Sequence, residues 1–126
     1  MKIKHIIAFC FLATFLFVAC KKPAGPGGKN TIKGTVQFKN GASGTNDPAA
    51  MAQISIAYGS NASTSTFDQT ILAGSDGTYK FEALRKGDYF IKATFTDEHG
   101  FKYSNAGSVI TFSHRKKEAE VNMVLE

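Results

Sequence analysis

The chain has 126 residues, 43% of them apolar and 20% charged, with 12 Gly, 11 Phe, no Trp and two Cys. That is one domain's worth of chain, and the average composition excludes a collagen-like, wholly disordered or polytopic membrane protein. The formal net charge is +5, and five lysines (Lys2, Lys4, Lys21, Lys22 and Lys29) precede residue 30.

From Asn30 to Glu126, eight Lys and two Arg balance five Asp and five Glu. A nucleic-acid-binding domain needs its basic residues clustered on the fold itself, so neither DNA nor RNA is an expected partner. Met1 to His5 carries Lys2 and Lys4, and a 14-residue apolar run from Ile6 to Ala19 follows, interrupted by Thr14. About 20 residues are needed to cross a bilayer core, so the run is too short to span. A basic start, a short apolar stretch and a small residue before the break make a secretory signal over residues 1–19. The break, Phe17-Val18-Ala19-Cys20, resembles a bacterial lipoprotein signal, with Phe17 standing where Leu is commonest. The resemblance implies cleavage before Cys20, diacylation of that cysteine, and the membrane as a partner through the lipid. Cys10 leaves with the signal, so Cys20 is the one mature cysteine and has no internal disulfide partner. Two acyl chains make an anchor that is stable in practice.

Lys21 to Asn30 reads Lys-Lys-Pro-Ala-Gly-Pro-Gly-Gly-Lys-Asn. With two Pro, three Gly and no large apolar group, residues 20–30 are expected to form a flexible tether. Such a tether spans roughly 17 Å r.m.s. and about 30 Å when stretched. Lys21 is not the Asp that favours inner-membrane retention in some bacteria, so the resemblance implies the outer membrane. The acidic run of many surface-exported lipoproteins is also missing, which favours a periplasm-facing position.

From Thr31 onward the apolar period is two. Thr31 to Lys39 places Ile32, Val36 and Phe38 on one face, which predicts a half-buried strand. Ala52 to Tyr58 and Thr66 to Ala73 follow as strands, with either face of the former able to turn inward. Gly74-Ser75-Asp76-Gly77 is a tight-turn signal. Thr78 to Leu84 then runs with Tyr79 and Phe81 inward, and Arg85-Lys86-Gly87 turns into Asp88 to Thr96. After Asp97-Glu98-His99-Gly100, residues Phe101 to Phe112 form one long or two short strands. The break at Asn105-Ala106-Gly107 is either a bulge or a chain reversal. Glu118 to Leu125 closes the domain. About seven short strands at this spacing predict an all-β Ig-like sandwich over residues 31–126, its core filled mostly by the seven Phe from Phe38 to Phe112.

Ile32-Lys33-Gly34-Thr35-Val36, with Ser75-Asp76-Gly77-Thr78-Tyr79-Lys80-Phe81 and Leu84-Arg85-Lys86-Gly87-Asp88-Tyr89, resembles the carboxypeptidase regulatory-like domain. That family belongs to the transthyretin-like and Cna-B-like group. The resemblance covers residues 31–126 and implies a Greek-key, prealbumin-like sandwich. Modules of this type serve as spacers, docking surfaces and accessory domains, and a fold by itself names no activity. The Cna-B side of the resemblance raises a Lys–Asn isopeptide crosslink from Lys33, Asn122 and Glu82. Strand parity turns all three outward, away from the dry site that this chemistry needs.

Little announces catalysis. His99 and His114 are the histidines of the mature chain, and no nucleophile elbow or phosphate loop occurs. His99 beside Asp97 and Glu98 cannot converge with them on zinc from adjacent turn positions. No enzymatic activity and no cofactor are expected. If each connection reverses direction, the loops at 40–51, 74–77 and 97–100 share the end away from the tether, bringing Asp47, Asp76, Asp97 and Glu98 there. Such loops could offer oxygen ligands to Ca²⁺, though no EF-hand signature accompanies them. The tether end collects Arg85 and Lys86 with Lys21, Lys22 and Lys29. A bulge at Asn105-Ala106-Gly107 adds His114, Arg115, Lys116 and Lys117 to that end. A basic end facing anionic head groups gains about 1 kcal/mol for each nearby Lys. The expectation is a lipid-anchored, non-enzymatic accessory or docking module of the bacterial cell envelope with an envelope protein partner. The alternative is a carbohydrate- or surface-polymer-binding lipoprotein, using Tyr58 or Tyr103 at a loop edge to hold a glycan.

Overall fold

The computed structural model describes residues 23–126. The signal over 1–19, the lipid site Cys20, and Lys21 and Lys22 lie outside the described residues. The described chain contains ten strands and no helix: β1 (Pro26–Lys39), β2 (Asn46–Pro48), β3 (Gln53–Tyr58), β4 (Gln69–Leu72), β5 (Thr78–Leu84), β6 (Gly87–Thr96), β7 (Lys102–Ser104), β8 (Ser108–Phe112), β9 (Glu118–Glu120) and β10 (Met123–Leu125). They form two sheets packed face to face. In the first, β1 is the central strand, antiparallel to β5 and β2 and parallel to β9 and β10. The N–H of Val36 donates to the Gly77 carbonyl (2.8 Å) and its C=O accepts from Ala49 (2.9 Å). Both groups of one strand residue point to the same edge, so β5 and β2 abut end to end along it. In the second sheet β6 pairs with β3 on one side and with β7 and β8 on the other, and β4 flanks β3.

The all-β sandwich is as expected, with ten strands in place of seven. Two of the extra strands come from breaks in expected ones, β7 from β8 and β9 from β10, and the third is the three-residue β2. The break at Asn105-Ala106-Gly107 is not a reversal. Both β7 and β8 run antiparallel to β6, against Thr94–Thr96 and Gly87–Ile91 respectively. At the gap, Asn105 Oδ1 accepts the Ala93 N–H (3.1 Å) and replaces the missing ladder bond.

The strongest departure is at the start. Residues Pro26–Asn30, expected to be tether, are the first part of β1. Composition argues against a packed element there because no large apolar group is present. Long-range bonds supply the order instead. The fully buried Tyr89 places its hydroxyl beside Gly25, accepting the Gly25 N–H (2.9 Å) and donating to the Arg85 carbonyl (2.7 Å). The Arg85 N–H in turn donates to the Gly25 carbonyl (2.8 Å).

Ile32, Val36 and Phe38 of β1 meet Ile54 and Ile56 of β3, Tyr89, Ile91 and Ala93 of β6, and Leu125 in one core. Parity within β5 changes at Ala83, which has a positive φ of 58°. Tyr79 and Phe81 face inward, and after this kink Leu84 does too. The phenylalanines divide more than expected. Phe90 is buried on the outer face of its sheet, stacked on Phe67 at 6.2 Å, and Phe101 is 66% exposed.

Candidate functional site

Arg85 and Lys86 sit in the tight connection between β5 and β6, and Arg115 and Lys116 in the loop between β8 and β9. Because Asn105-Ala106-Gly107 is a bulge, both loops lie at the same end of the sandwich. There they line, with Gly27, Gly28 and Lys29 of β1, a depression of about 610 Å³. Its lining holds five cations, Lys29, Arg85, Lys86, Arg115 and Lys116, and no carboxylate. None of the five makes an ion pair within 4 Å among the described residues. Lys117 does not line the depression. Its backbone carbonyl accepts the Thr31 N–H (2.9 Å) at the end of the same loop.

The floor is backbone. Pro26 and Asn30 both pair with Leu84, so the ladder skips Gly27, Gly28 and Lys29. This register shift leaves the three residues outside the β1–β5 ladder. A side chain at Gly28 would overlap the Leu84 carbonyl, so only glycine lets the strands come this close. The half-buried Arg85 lays its guanidinium over Gly27, where an added Cβ would stand 2.8 Å from Nη2. The positive φ of Ala83 lies two residues before Arg85 on the opposite wall. Non-glycine residues in this conformation cost of order 1–3 kcal/mol and are held there by the surrounding fold.

Asn30 is a positioning residue that composition hid inside the expected tether. It is fully buried, and its Nδ2 donates to the His114 carbonyl (2.8 Å). That bond and the one from Thr31 to Lys117 fasten the loop on both sides of Arg115 and Lys116. The Asn30 Oδ1 has no hydrogen-bond partner among the described residues.

The acidic residues gather at the other end of β5, about 20 Å away for a seven-residue strand. Each is committed to its own turn. Asp47 accepts from Asn40 Nδ2 (3.0 Å) and the Thr45 hydroxyl (3.0 Å). Asp76 accepts the hydroxyl and N–H of Thr78, and these bonds hold its pKa below the ordinary value. Around Asp97, partial loss of water pushes the pKa up, but bonds from the Phe101 N–H, the Tyr103 hydroxyl and the His99 N–H together outweigh it and lower the pKa. Among the described residues Glu98 reaches His99 alone, at 3.6 Å. Among the described residues, no three His, Cys, Asp or Glu side chains are grouped to hold a metal ion. The isopeptide trio is likewise apart in partners: Lys33 pairs with Glu118 (3.4 Å), Glu82 with Lys80 (2.8 Å), and Asn122 Oδ1 accepts from Thr35.

Both candidate tyrosines have partners within the fold, and Tyr103 also lines a distal depression. Tyr58 packs edge-on against Tyr89 at 5.9 Å, and its hydroxyl donates to Gln69 Oε1. Tyr103 packs on Phe38 at 5.1 Å, and its hydroxyl donates to Asp97 Oδ2 (3.1 Å). The exposed aromatic at the distal end is Phe101. It lines a second depression of about 440 Å³ with Tyr103, Asn40, Asp97, His99, Lys102 and Glu126.

No known family profile matches the chain, and no curated protein matches it in sequence. Among solved structures it is similar to a proposed carbohydrate-binding protein from Pseudomonas aeruginosa, at 14% identity with a TM-score of 0.56, over 85% of this chain and 93% of that one. It is also similar to the major pilin subunit of Bacillus cereus, at 17% identity with a TM-score of 0.54, over 79% of this chain and 30% of the pilin. At these identities the likeness is one of fold, and it places the chain among β-sandwich domains.

Proposed function

We propose that the chain is a lipid-anchored, non-enzymatic docking module of the bacterial cell envelope, acylated at Cys20 and held at the outer membrane with its basic end on anionic head groups. The observation that carries this reading is the coincidence of two features at one end of the sandwich. One is the cluster of five cations without carboxylate partners. The other is the exit of the chain towards Cys20, because Ala24 stacks on Gly87 and Gly25 is bonded to Arg85. From Pro23 to Cys20 is three residues, at most about 11 Å of chain. The tether is thus much shorter than its composition suggests, and the basic end stands next to the lipid. The lipoprotein-type signal supports the anchor, and the hairpin motifs support a carboxypeptidase regulatory-like module. The acidic turns lie more than a Debye length of about 8 Å from the membrane end, so they neither cancel its field nor feel it strongly. They are left facing away from the lipid, towards an envelope protein partner.

Co-sedimentation of the unacylated mature chain, carrying Cys20→Ser, with vesicles tests the reading. Binding is expected to rise with the fraction of phosphatidylglycerol and to fall with salt. Binding indifferent to both would refute it.

A second reading, glycan binding at the distal end, is favoured by Phe101, an exposed ring in a depression rimmed by polar side chains. The fold neighbour from Pseudomonas aeruginosa supports it. A glycan array with the wild-type chain and Phe101→Ala decides this. Loss of a specific signal in the variant supports the reading, and an empty array removes it.

A further inference from the structure

The basic depression is more than a diffuse positive field, and we infer that it is a built site for a phosphomonoester-bearing head group at the membrane surface. This rests on the membrane-docking reading and adds the chemistry of the group that is held. Charge balance comes first. Five cations line the depression and no carboxylate does. A phosphodiester lipid brings a single negative charge, whereas a phosphomonoester carries about −1.5 to −2 with three strong acceptor oxygens. A phosphomonoester therefore comes closer to matching the lining than a phosphodiester does.

Donor geometry comes second. Arg85 and Arg115 approach from different loops, the first following β5 and the second following β8. Guanidinium forks match phosphate oxygens bidentately, whereas an ammonium acts as a point charge. Neither fork is loose at its base. The Arg85 guanidinium lies over Gly27, its backbone N–H is bonded to Gly25, and its carbonyl accepts from Tyr89. The Arg115 loop is fastened by Asn30 on one side and by Thr31 on the other. Such restraint lowers the ordering cost of binding.

The floor comes third. Gly27 and Gly28 place backbone at the bottom of the depression, and the Arg85 guanidinium lies over Gly27, so a head group that reaches this floor meets that fork. The contrast with the similarly sized hollow around Lys33 and Lys80 is informative. There each lysine already has a carboxylate partner, Glu118 and Glu82.

The experiment compares vesicles of matched zeta potential in a phosphatidylcholine background, one set charged with phosphatidic acid and the other with phosphatidylglycerol. The protein is the unacylated mature chain with Cys20→Ser, which contains the whole sandwich. Phosphatidic acid vesicles are expected to bind at least about tenfold more tightly, a difference of about 1.4 kcal/mol. Replacing both forks, Arg85→Lys with Arg115→Lys, keeps the charge and should erase that preference, so that the variant binds the two lipids alike. Equal binding to the two lipids at matched potential would overturn the inference and leave membrane docking standing. Binding to neither would overturn both. Binding of soluble pyrophosphate that depends on the two arginines, without any preference between vesicles, would overturn the membrane source in favour of a free phosphate ligand.

Discussion

Replacing Tyr89 by phenylalanine removes one buried oxygen and leaves the rest of the ring in place. The ring packs edge-on against Tyr58 and Phe112, each at 5.9 Å, and phenylalanine preserves both contacts. The oxygen itself joins three segments. It accepts the N–H of Gly25 and donates to the carbonyl of Arg85, tying the first residues of the domain to the β5–β6 turn. Without it the buried Gly25 N–H has no other partner among the described residues, and such an orphan costs about 1–3 kcal/mol, against about 1 kcal/mol net for an ordinary hydrogen bond. The expected loss is therefore about 2–3 kcal/mol, a large share of the roughly 5–15 kcal/mol that a domain possesses. For about 100 residues this lowers the melting temperature by roughly 10–15 °C. Urea titration followed by circular dichroism checks it: the midpoint should fall with the slope unchanged. Amide exchange at Gly25 and Arg85 should accelerate with it. A loss below about 0.5 kcal/mol would mean that water replaces the hydroxyl and that the clasp does not order the start of β1.

Three further outcomes follow from the same structure. Asn30→Ala releases the loop over the basic depression, so trypsin should cut at Arg115–Lys117 much faster, with about 1–2 kcal/mol lost in urea titration; unchanged cleavage would remove Asn30 as the fastener. Gly34→Ala forces a methyl group into the Val121 carbonyl and should cost about 1–3 kcal/mol, so an unchanged midpoint would contradict the close approach of β1 to the β9–β10 break. The pKa values of Asp76 and Asp97 are lowered in the folded chain, so their contribution is fully present above the unfolded carboxylate value of about 4 and is lost as pH falls through the folded values. Thermal melts from pH 6 to pH 2 should show this loss, and Asp76→Asn with Asp97→Asn should flatten the acid limb; a slope that the double variant leaves unchanged would contradict it.

How much of this was legible beforehand depends on where each bond is made. The strands Gln53–Tyr58, Thr78–Leu84 and Gly87–Thr96 read directly from alternation, because their side chains face one common core. The first five residues of β1 did not. They hold no apolar pattern, and their order comes from Tyr89 and Arg85, some 60 residues further on. Asn30 was hidden in the same way, its partner being the carbonyl of His114. The basic depression was half legible. Its residues could be named from loop charge, but their meeting depended on whether Asn105-Ala106-Gly107 reverses the chain. A side chain that replaces a ladder bond, as Asn105 does for Ala93, looks the same in sequence as a turn residue. Phenylalanine composition misled for a related reason. Apolarity alone does not tell the buried outer-face Phe90, which Phe67 covers, from the exposed Phe101.

A single fluorescence measurement reads out the orientation of the domain on the membrane. The acylated chain is placed in anionic vesicles carrying a head-group quencher, with a fluorophore on either Ser113→Cys beside the basic loop or Ser43→Cys in the distal 40–45 loop, both exposed positions. Strong quenching is expected at position 113, relieved by high salt, and little at position 43. Equal quenching at the two positions, or the reverse order, would contradict this orientation.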